Sequence, residues 1–269
     1  MIKINYMKNG NNKYALITGG TMGIGYELAK LFAKNGYHLV LVARSKEELQ
    51  KAAQELQQNG GGVITISKDL AEPNAAMELY NEVKARGISI DVLVNNAGQG
   101  QYGLFVEEDM QRYLEIIQLN IISLTALTHA FLKDMVARNE GKILQLASIA
   151  SELPGPWQAV YHATKAYVLH LTEALVNELK DTNITITALQ PGATDTDFFN
   201  KADMLDSKIM GSKLSDPATV AEDGYNALMK GDDKIVSGLK NKIMVGASNV
   251  VPDTMLAEQM NKMQKPKEE

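Results

Sequence analysis

The chain has no cysteine among its 269 residues. This absence excludes disulfide bonds, thiolate catalysis and cysteine-ligated metal centres. The four histidines are scattered along the sequence, so no metal-site spacing is present and we expect no bound metal. A chain without disulfides suits a reducing compartment, and we expect a cytoplasmic protein.

Basic charge and long apolar runs are also scarce. The 27 Lys and Arg residues stand against 32 Asp and Glu, a formal net charge of −5, so no extended nucleic-acid surface is expected. No run reaches the roughly 18 uninterrupted apolar residues typical of a spanning helix, so we expect no integral membrane segment. Residues 1–12 lack the apolar core of a signal peptide and predict a flexible N-terminus.

Short apolar runs alternate with helical patterns from residue 14 onward. This alternation requires parallel strands joined by helical crossovers. The pattern predicts an α/β fold: a doubly wound, mostly parallel sheet of Rossmann type with helices on both faces. We expect one domain over residues 13–251, followed by a helical extension and charged tail over residues 252–269. The predicted strands are Tyr14–Thr18, His38–Ala43, Val63–Ser67, Asp91–Asn95, Lys142–Ala147, Ile184–Leu189 and Lys234–Val236.

Capping residues locate several helices. Ser45 and Glu48 form a capping-box pattern, and Pro73 stands where a helix can begin with proline at its first position. A long helical pattern runs from about Glu108 to Arg138, with a possible division into two pieces. Another helix is expected over Tyr161–Leu179, and Pro217 is expected to begin a further one.

A glycine-rich turn, Thr-Gly-Gly-Thr-Met-Gly-Ile-Gly, connects the first strand with the first helix. We expect Gly19 to adopt positive φ, Gly23 to admit a pyrophosphate, and Gly25 to let the helix pack closely on the sheet. The helix N-terminus would bind phosphate through its N–H groups. A glycine loop without a ligand is the alternative. The turn residues expected to contact a dinucleotide are Gly19, Thr21, Met22, Gly23 and Ile24.

The end of the second strand indicates which dinucleotide binds. An acidic residue there would bind the ribose 2′-hydroxyl of NAD(H), whereas Arg44, next to Ser45, can bind the 2′-phosphate of NADP(H). We therefore expect NADP(H), with NAD(H) less favoured, and both residues are expected cofactor contacts. Met22 adds no second basic group, and Arg44 as a solvated loop residue is the alternative.

Tyr161 and Lys165 lie one helical turn apart in the sequence. A nearby ammonium favours the phenolate and lowers a tyrosine pKa, which would allow proton exchange near neutral pH. Alone, this spacing is common in helices. Ser148 strengthens the prediction, because it follows the fifth strand at the edge where ligands bind. Its hydroxyl would bind a substrate carbonyl and stabilise developing alkoxide.

Together these motifs resemble the short-chain dehydrogenase/reductase family of single-domain type. The turn matches T-G-x-x-x-G-x-G, and residues 95–98 match N-N-A-G. Ser148 precedes Tyr161 by thirteen residues, Lys165 completes Y-x-x-x-K, and residues 191–196 match P-G-x-x-x-T. The motifs occur in the family's order and cover residues 14 to about 200.

The resemblance implies roles for individual residues. Tyr161 would be the general acid in reduction, Lys165 would lower its pKa and bind the nicotinamide ribose, and Ser148 would orient the carbonyl. Asn120 would hold a water for proton relay, and Asp69 would contact the adenine. A polar helix group and a turn residue are their respective alternatives. Further implied cofactor contacts are Leu70, Asn96, Ala97, Gly98, Pro191, Gly192, Thr194 and Thr196.

The substrate side is expected to be apolar or amphipathic, with a mobile loop over about residues 197–215. His162 is interpreted as a pocket-edge or packing residue. The C-terminal extension is a lid, a dimer contact or a membrane-surface contact, the first two being favoured; we expect a homodimer, with a tetramer also possible. Predicted pocket walls are Gln99, Gln101, Tyr102, Pro154, Gly155, Pro156, Trp157, Phe198, Phe199, Met204 and Met210.

The sequence thus predicts an NADP(H)-dependent oxidoreductase that transfers a hydride between the nicotinamide and a small-molecule carbonyl or secondary alcohol. An NADP(H)-binding sensor or regulator without significant turnover is the alternative. Epimerase or dehydratase chemistry is a third possibility, although those relatives usually carry a different glycine spacing.

Overall fold

The computed structural model describes residues 13–58, 62–248 and 250–267. The flexible terminus predicted for residues 1–12, the first two glycines of the 60–62 run and the last two residues of the charged tail lie outside this range. Seven parallel strands form one sheet, which confirms the predicted α/β fold. They are β1 Tyr14–Thr18, β2 His38–Ala43, β3 Val63–Ser67, β4 Val92–Asn95, β5 Gly141–Leu146, β6 Ile184–Gln190 and β7 Lys234–Val236.

Helices cover both faces of this sheet because its strands are apolar on both sides. Helices α1, α2 and α8 pack on one face, and α3, α5 and α6 pack on the other. The helices are α1 Gly23–Lys34, α2 Lys46–Gln57, α3 Ala75–Ala85, α4 Met110–Ile117, α5 Leu124–Arg138, α6 Ala159–Glu178, α7 Phe198–Lys201, α8 Pro217–Lys230, α9 Leu239–Ser248 and α10 Asp253–Gln264.

The strand order is β3-β2-β1-β4-β5-β6-β7. The order therefore reverses between β1 and β4, whose Ala15–Val92, Leu16–Leu93 and Ile17–Val94 pairs hold the two strands together. In open α/β sheets, ligands bind at the carboxyl ends of the strands beside such a reversal. The fold thus places the glycine turn after β1, the segment after β4 and Ser148 after β5 around one crevice.

One helix prediction needs correction, and a second is refined. Pro73 does not begin α3, because Asn74 adopts φ of 64° and the regular helix starts only at Ala75. The long helical pattern is neither uniform nor separated by a loop. A π-helical segment, Gln118–Ser123, joins α4 to α5 without interruption.

The continuous stretch Met110–Arg138 is long and apolar enough to cross a membrane by length and composition. In its most apolar window, 44% of the residues are buried inside the protein. Its α5 part contacts β4, β5 and α3 in the manner of a core helix. Since core helices of soluble folds meet the same criteria, the stretch is weak evidence for a membrane span.

Candidate active site

A cavity of about 410 Å³ opens along the carboxyl ends of the strands. Every predicted catalytic and cofactor-binding residue lines this cavity except Asn120. The glycine turn and the catalytic helix therefore face one space. The predicted residues that line it are Gly19, Thr21, Met22, Gly23, Ile24, Arg44, Ser45, Asp69, Leu70, Asn96, Ala97, Gly98, Ser148, Tyr161, Lys165, Pro191, Gly192, Thr194 and Thr196.

The glycine turn has the form that a phosphate group requires. Gly19 and Gly23 adopt φ of 64° and 54°, and a Cβ on Gly23 would lie 2.9 Å from the Thr196 methyl. Helix α1 begins at Gly23, and its N-cap residue, Met22, makes no side-chain capping hydrogen bond. The N–H groups of the first turn therefore remain available to an anion, so these residues fit a dinucleotide pyrophosphate.

Gly25 serves a different contact from the one predicted. A Cβ on Gly25 would collide with the carbonyl oxygen of Gly19 and the amide of Asn96, rather than with the sheet beneath the helix. The Asn96 Nδ2 donates to the carbonyl oxygens of Thr18 at 2.9 Å and Gly19 at 3.0 Å. Gly25 thus makes room for a side chain that fixes the phosphate-binding turn to the end of β4.

The end of the cavity beside β2, where the sequence predicts that adenosine binds, holds charges of both signs. The Arg44 side chain is 62% exposed, and its Nη1 lies 3.8 Å from Asp69 Oδ2. Asp69 also accepts a hydrogen bond from Ala71 N, at 2.9 Å, as a turn residue does. Lys68 and Glu48 line the same end. Glu48 is a carboxylate that the sequence predicts only as part of a capping box, because it lies one helical turn beyond the end of β2.

The two reacting hydroxyls lie together at the other end of the cavity. The Ser148 side chain is close enough to the Tyr161 phenol to oppose part of the effect of burial on the pKa of that phenol. Ser148 caps the 3-10 turn Ile149–Glu152: its Oγ accepts from Ala150 N at 3.1 Å and donates to the Pro191 carbonyl at 3.4 Å. These contacts fix the serine hydroxyl beside the phenol, where both can bind one carbonyl oxygen.

Lys165 lies close to Tyr161, one helical turn further along α6. Its Nζ donates to the backbone carbonyl of Leu146 at 2.6 Å and lies 5.7 Å from the centroid of the Tyr161 ring. The residue is only 5% exposed, and burial lowers the pKa of its ammonium to about 8. A cation at the wall of the cavity is thus held in place by a strand of the sheet.

The predicted lowering of the Tyr161 pKa does not occur in the polypeptide alone. Burial raises the pKa of Tyr161 to about 12, while the Ser148 side chain acts in the opposite direction. Burial dominates because it penalises the phenolate more than one hydroxyl donor can stabilise it. Tyr161 is therefore held as a neutral phenol, the form that can donate a proton.

Asn120 lies behind the cavity wall. Its Oδ1 accepts from Gln99 N at 3.0 Å, and its Nδ2 donates to the Gln99 carbonyl at 2.8 Å and to Thr164 Oγ1 at 3.0 Å. The side chain is 1% exposed within the π-helical segment. It joins the segment after β4 to the catalytic helix, and its implied role in holding a water stays a prediction.

The substrate end is only partly as predicted. Gln99, Phe198, Phe199 and Met204 line the cavity, whereas Trp157 stacks on Tyr102 behind it. Sequence reasoning missed most of the remaining wall because its residues come from separate segments. His162 lines the cavity, in agreement with its interpretation as a pocket-edge residue. The additional lining residues at this end are Ala150, Leu153, Gln158, Lys201, Ile209, Met260 and Gln264.

Comparison with known proteins agrees with this geometry. The sequence model of the short chain dehydrogenases matches residues 13–205, well over half of the chain. A 3-oxoacyl-acyl-carrier-protein reductase of Staphylococcus epidermidis is 33% identical over 190 residues, covering 70% of this chain and 78% of that protein. A short chain dehydrogenase of Pseudocercospora fijiensis is 32% identical over 187 residues, covering 69% of this chain but only 60% of that protein.

A solved structure extends the likeness along the chain. The short-chain dehydrogenase from Sphingobium yanoikuyae, in complex with NADPH, superposes with a TM-score of 0.77 and 27% identity, covering 92% of this chain and 99% of that one. The fold and the cavity define a dinucleotide-binding α/β protein. The chain belongs to the short-chain dehydrogenase/reductase family of oxidoreductases, as its motifs predict.

Proposed function

We propose that the protein is an NADP(H)-dependent reductase or dehydrogenase that interconverts a carbonyl and a secondary alcohol. The observation that carries the proposal is that Ser148, Tyr161 and Lys165 line one cavity together with the glycine turn. Phosphate binding and proton transfer are thereby available in one space. The relatives named above act within the same reaction class.

In this mechanism the chain handles the proton and the developing charge. Ser148 turns its one hydroxyl proton from the Pro191 carbonyl to the substrate carbonyl oxygen, and Tyr161 donates to the same oxygen. Both hydrogen bonds stabilise that oxygen as negative charge accumulates on it. Tyr161 then transfers its proton to that oxygen. NADP(H), when bound, supplies or accepts the hydride. The Lys165 ammonium favours the transient phenolate and would bind the ribose.

The NADP(H) preference rests mainly on Arg44. Its exposed guanidinium can form a charge-assisted pair with a 2′-phosphate, and Lys68 provides a second cation at the same end of the cavity. The complex of the Sphingobium relative with NADPH is consistent with this choice. Asn120 is proposed to support proton relay from behind the wall. We also propose a cytoplasmic protein that acts as a homodimer.

A panel of ketones and aldehydes, each assayed with NADPH and with NADH, tests the function. We expect NADPH oxidation with at least one carbonyl compound and a higher kcat/KM with NADPH than with NADH. Tight NADPH binding without turnover of any compound in either direction would indicate the alternative, a cofactor-binding sensor. Absence of binding to either cofactor would contradict both.

A further inference from the structure

The C-terminal helix α10 closes the substrate end of the cavity. The Trp157 Nε1 donates to Asn261 Oδ1 at 2.8 Å. The backbone carbonyl of Gln264 accepts from Tyr102 Oη at 2.6 Å and from Ser207 Oγ at 2.9 Å. Three separate segments therefore fix the end of α10, and they place the Gln264 side chain in the cavity wall at 2% exposure.

The orientation of the Gln264 amide follows from its neighbour His162. The His162 Nδ1 lies 2.7 Å from the Leu153 carbonyl oxygen, which can only accept, so Nδ1 carries the proton. Burial lowers the pKa of His162, which keeps the ring neutral and leaves Nε2 as an acceptor. Gln264 Nε2 donates to that nitrogen at 3.1 Å. The other amide atom, Gln264 Oε1, is buried and has no hydrogen-bond partner among the described residues.

In the described parts of the chain, a second glutamine, Gln158, has an unpaired donor, whereas Gln264 has an unpaired acceptor. Gln158 is 5% exposed, lines the same cavity, and its Nε2 has no partner within the part of the chain that the structure describes. Gln158 precedes His162 by one helical turn, and its carbonyl accepts from His162 N at 3.0 Å. Leaving a buried polar atom unpaired has a free-energy cost, so both amide atoms favour a ligand that pairs with them.

We propose that Gln158 and Gln264 form a subsite for a neutral hydroxyl group of the substrate, remote from the carbonyl that reacts. This inference rests on the proposed reductase function and specifies its substrate class: hydroxy-ketones and the corresponding diols. A hydroxyl can accept from Gln158 Nε2 and donate to Gln264 Oε1 at once. A carboxylate only accepts, and it would be repelled by the Gln264 oxygen.

The rest of this end suits a hydrocarbon skeleton between the two polar points. Leu153, Met204, Ile209 and Met260 line the wall there. Tyr161 follows Gln158 by three residues at the start of α6, so the carbonyl position and the hydroxyl subsite lie along the same wall of the cavity. The substrate class is therefore an apolar ring or chain with a carbonyl at one end and a hydroxyl several carbons away.

Matched ketones test the subsite. The pairs are 4-hydroxycyclohexanone with 4-methylcyclohexanone and 6-hydroxy-2-decalone with 6-methyl-2-decalone, all assayed with NADPH. We expect the wild type to favour at least one hydroxy-ketone over its methyl partner about ten-fold in kcat/KM, the size of one net hydrogen bond. Gln158→Met and Gln264→Met should each reduce that ratio to near one. Gln54→Met, on the exposed face of α2, should leave the ratio unchanged.

Each outcome decides the proposal. A wild-type ratio near one for both pairs overturns it without any variant, and so does a high ratio that survives both glutamine substitutions. If none of the four ketones is turned over, the reductase function is in question, and calorimetric titration of the ketones into the protein with NADPH tests the subsite alone. Ten-fold tighter binding of a hydroxy-ketone would support the subsite, whereas equal binding within each pair would overturn it.

Discussion

The Lys165 ammonium lies 5.7 Å from the centroid of the Tyr161 ring and donates to the Leu146 carbonyl, so one buried cation joins the catalytic helix to β5. Holding an ammonium there has a thermodynamic cost. Lowering a lysine pKa from 10.5 to about 8 corresponds to roughly 3 kcal/mol. The site is thus less stable than an apolar packing of the same volume would be.

Lys165→Met should therefore stabilise the fold at pH 7 by about 1–3 kcal/mol. The pKa of Lys165 is lower in the folded protein than in the unfolded chain. The free energy of unfolding of the wild type therefore decreases as pH falls from about 10.5 to about 8. Below about pH 8 the destabilisation by Lys165 stays constant. The stabilisation of Lys165→Met relative to wild type should shrink to about 0.4 kcal/mol at pH 10.5. Urea unfolding at both pH values measures it, with the exposed Lys46→Met as control. Equal stability of Lys165→Met and wild type at pH 7 would contradict the account.

Gly25→Ala should weaken NADPH binding about ten-fold or more. The added Cβ would collide with the Gly19 carbonyl and the Asn96 amide, which together hold the phosphate-binding turn. Gly246→Ala is the matched control, because no atom lies within 4 Å of its new Cβ and α9 is otherwise undisturbed. Fluorescence titration with NADPH gives both affinities. Unchanged binding in Gly25→Ala would show that the turn tolerates the displacement.

Arg44→Ala should raise the Kd for NADPH by about 10- to 100-fold, the loss of a charge-assisted pair with a phosphate. The Kd for NADH should change less than about three-fold, because NADH has no 2′-phosphate. Arg86→Ala, a surface arginine paired with Glu82 outside the cavity, serves as control. Equal weakening of NADPH and NADH binding by Arg44→Ala would contradict the proposed preference.

Glu48→Gln should tighten NADPH binding by about two- to five-fold at low ionic strength. Its carboxylate lines the adenosine end and accepts a hydrogen bond from Thr21 Oγ1 at 3.2 Å, so its charge opposes a 2′-phosphate. Glu47→Gln removes the same charge from the first turn of α2 outside the cavity wall, and it should have a smaller effect. Equal effects of the two substitutions would show that Glu48 acts only through net charge.

Short-range patterns made the fold and half of the site predictable. The glycine turn, the Tyr161–Lys165 spacing and the proline at the start of α8 are each set by a few neighbouring residues. Alternating apolar strands and helices fix the sheet order through crossover rules. The predicted start of α3 at Pro73 was wrong because Asn74 adopts the left-handed conformation, so the helix begins only at Ala75.

The other half depends on contacts between distant segments. Tyr102 and Ser207 bind the backbone carbonyl of Gln264 and hold this residue at the cavity. Both residues are distant from Gln264 in the sequence, so a pattern of neighbouring residues cannot predict these contacts. The Tyr161 pKa was expected to fall because spacing places an ammonium nearby. Spacing carries no information on burial, which raises that pKa instead.

The central claim is that Tyr161 transfers the proton, and a single hydroxyl deletion tests it. NADPH turnover of the best ketone should fall at least about a thousand-fold in Tyr161→Phe, while NADPH affinity stays within about three-fold of wild type. Tyr167→Phe removes a hydroxyl from the same helix at a half-exposed position bonded to Thr125, and it should keep full turnover. Full turnover by Tyr161→Phe would contradict the mechanism.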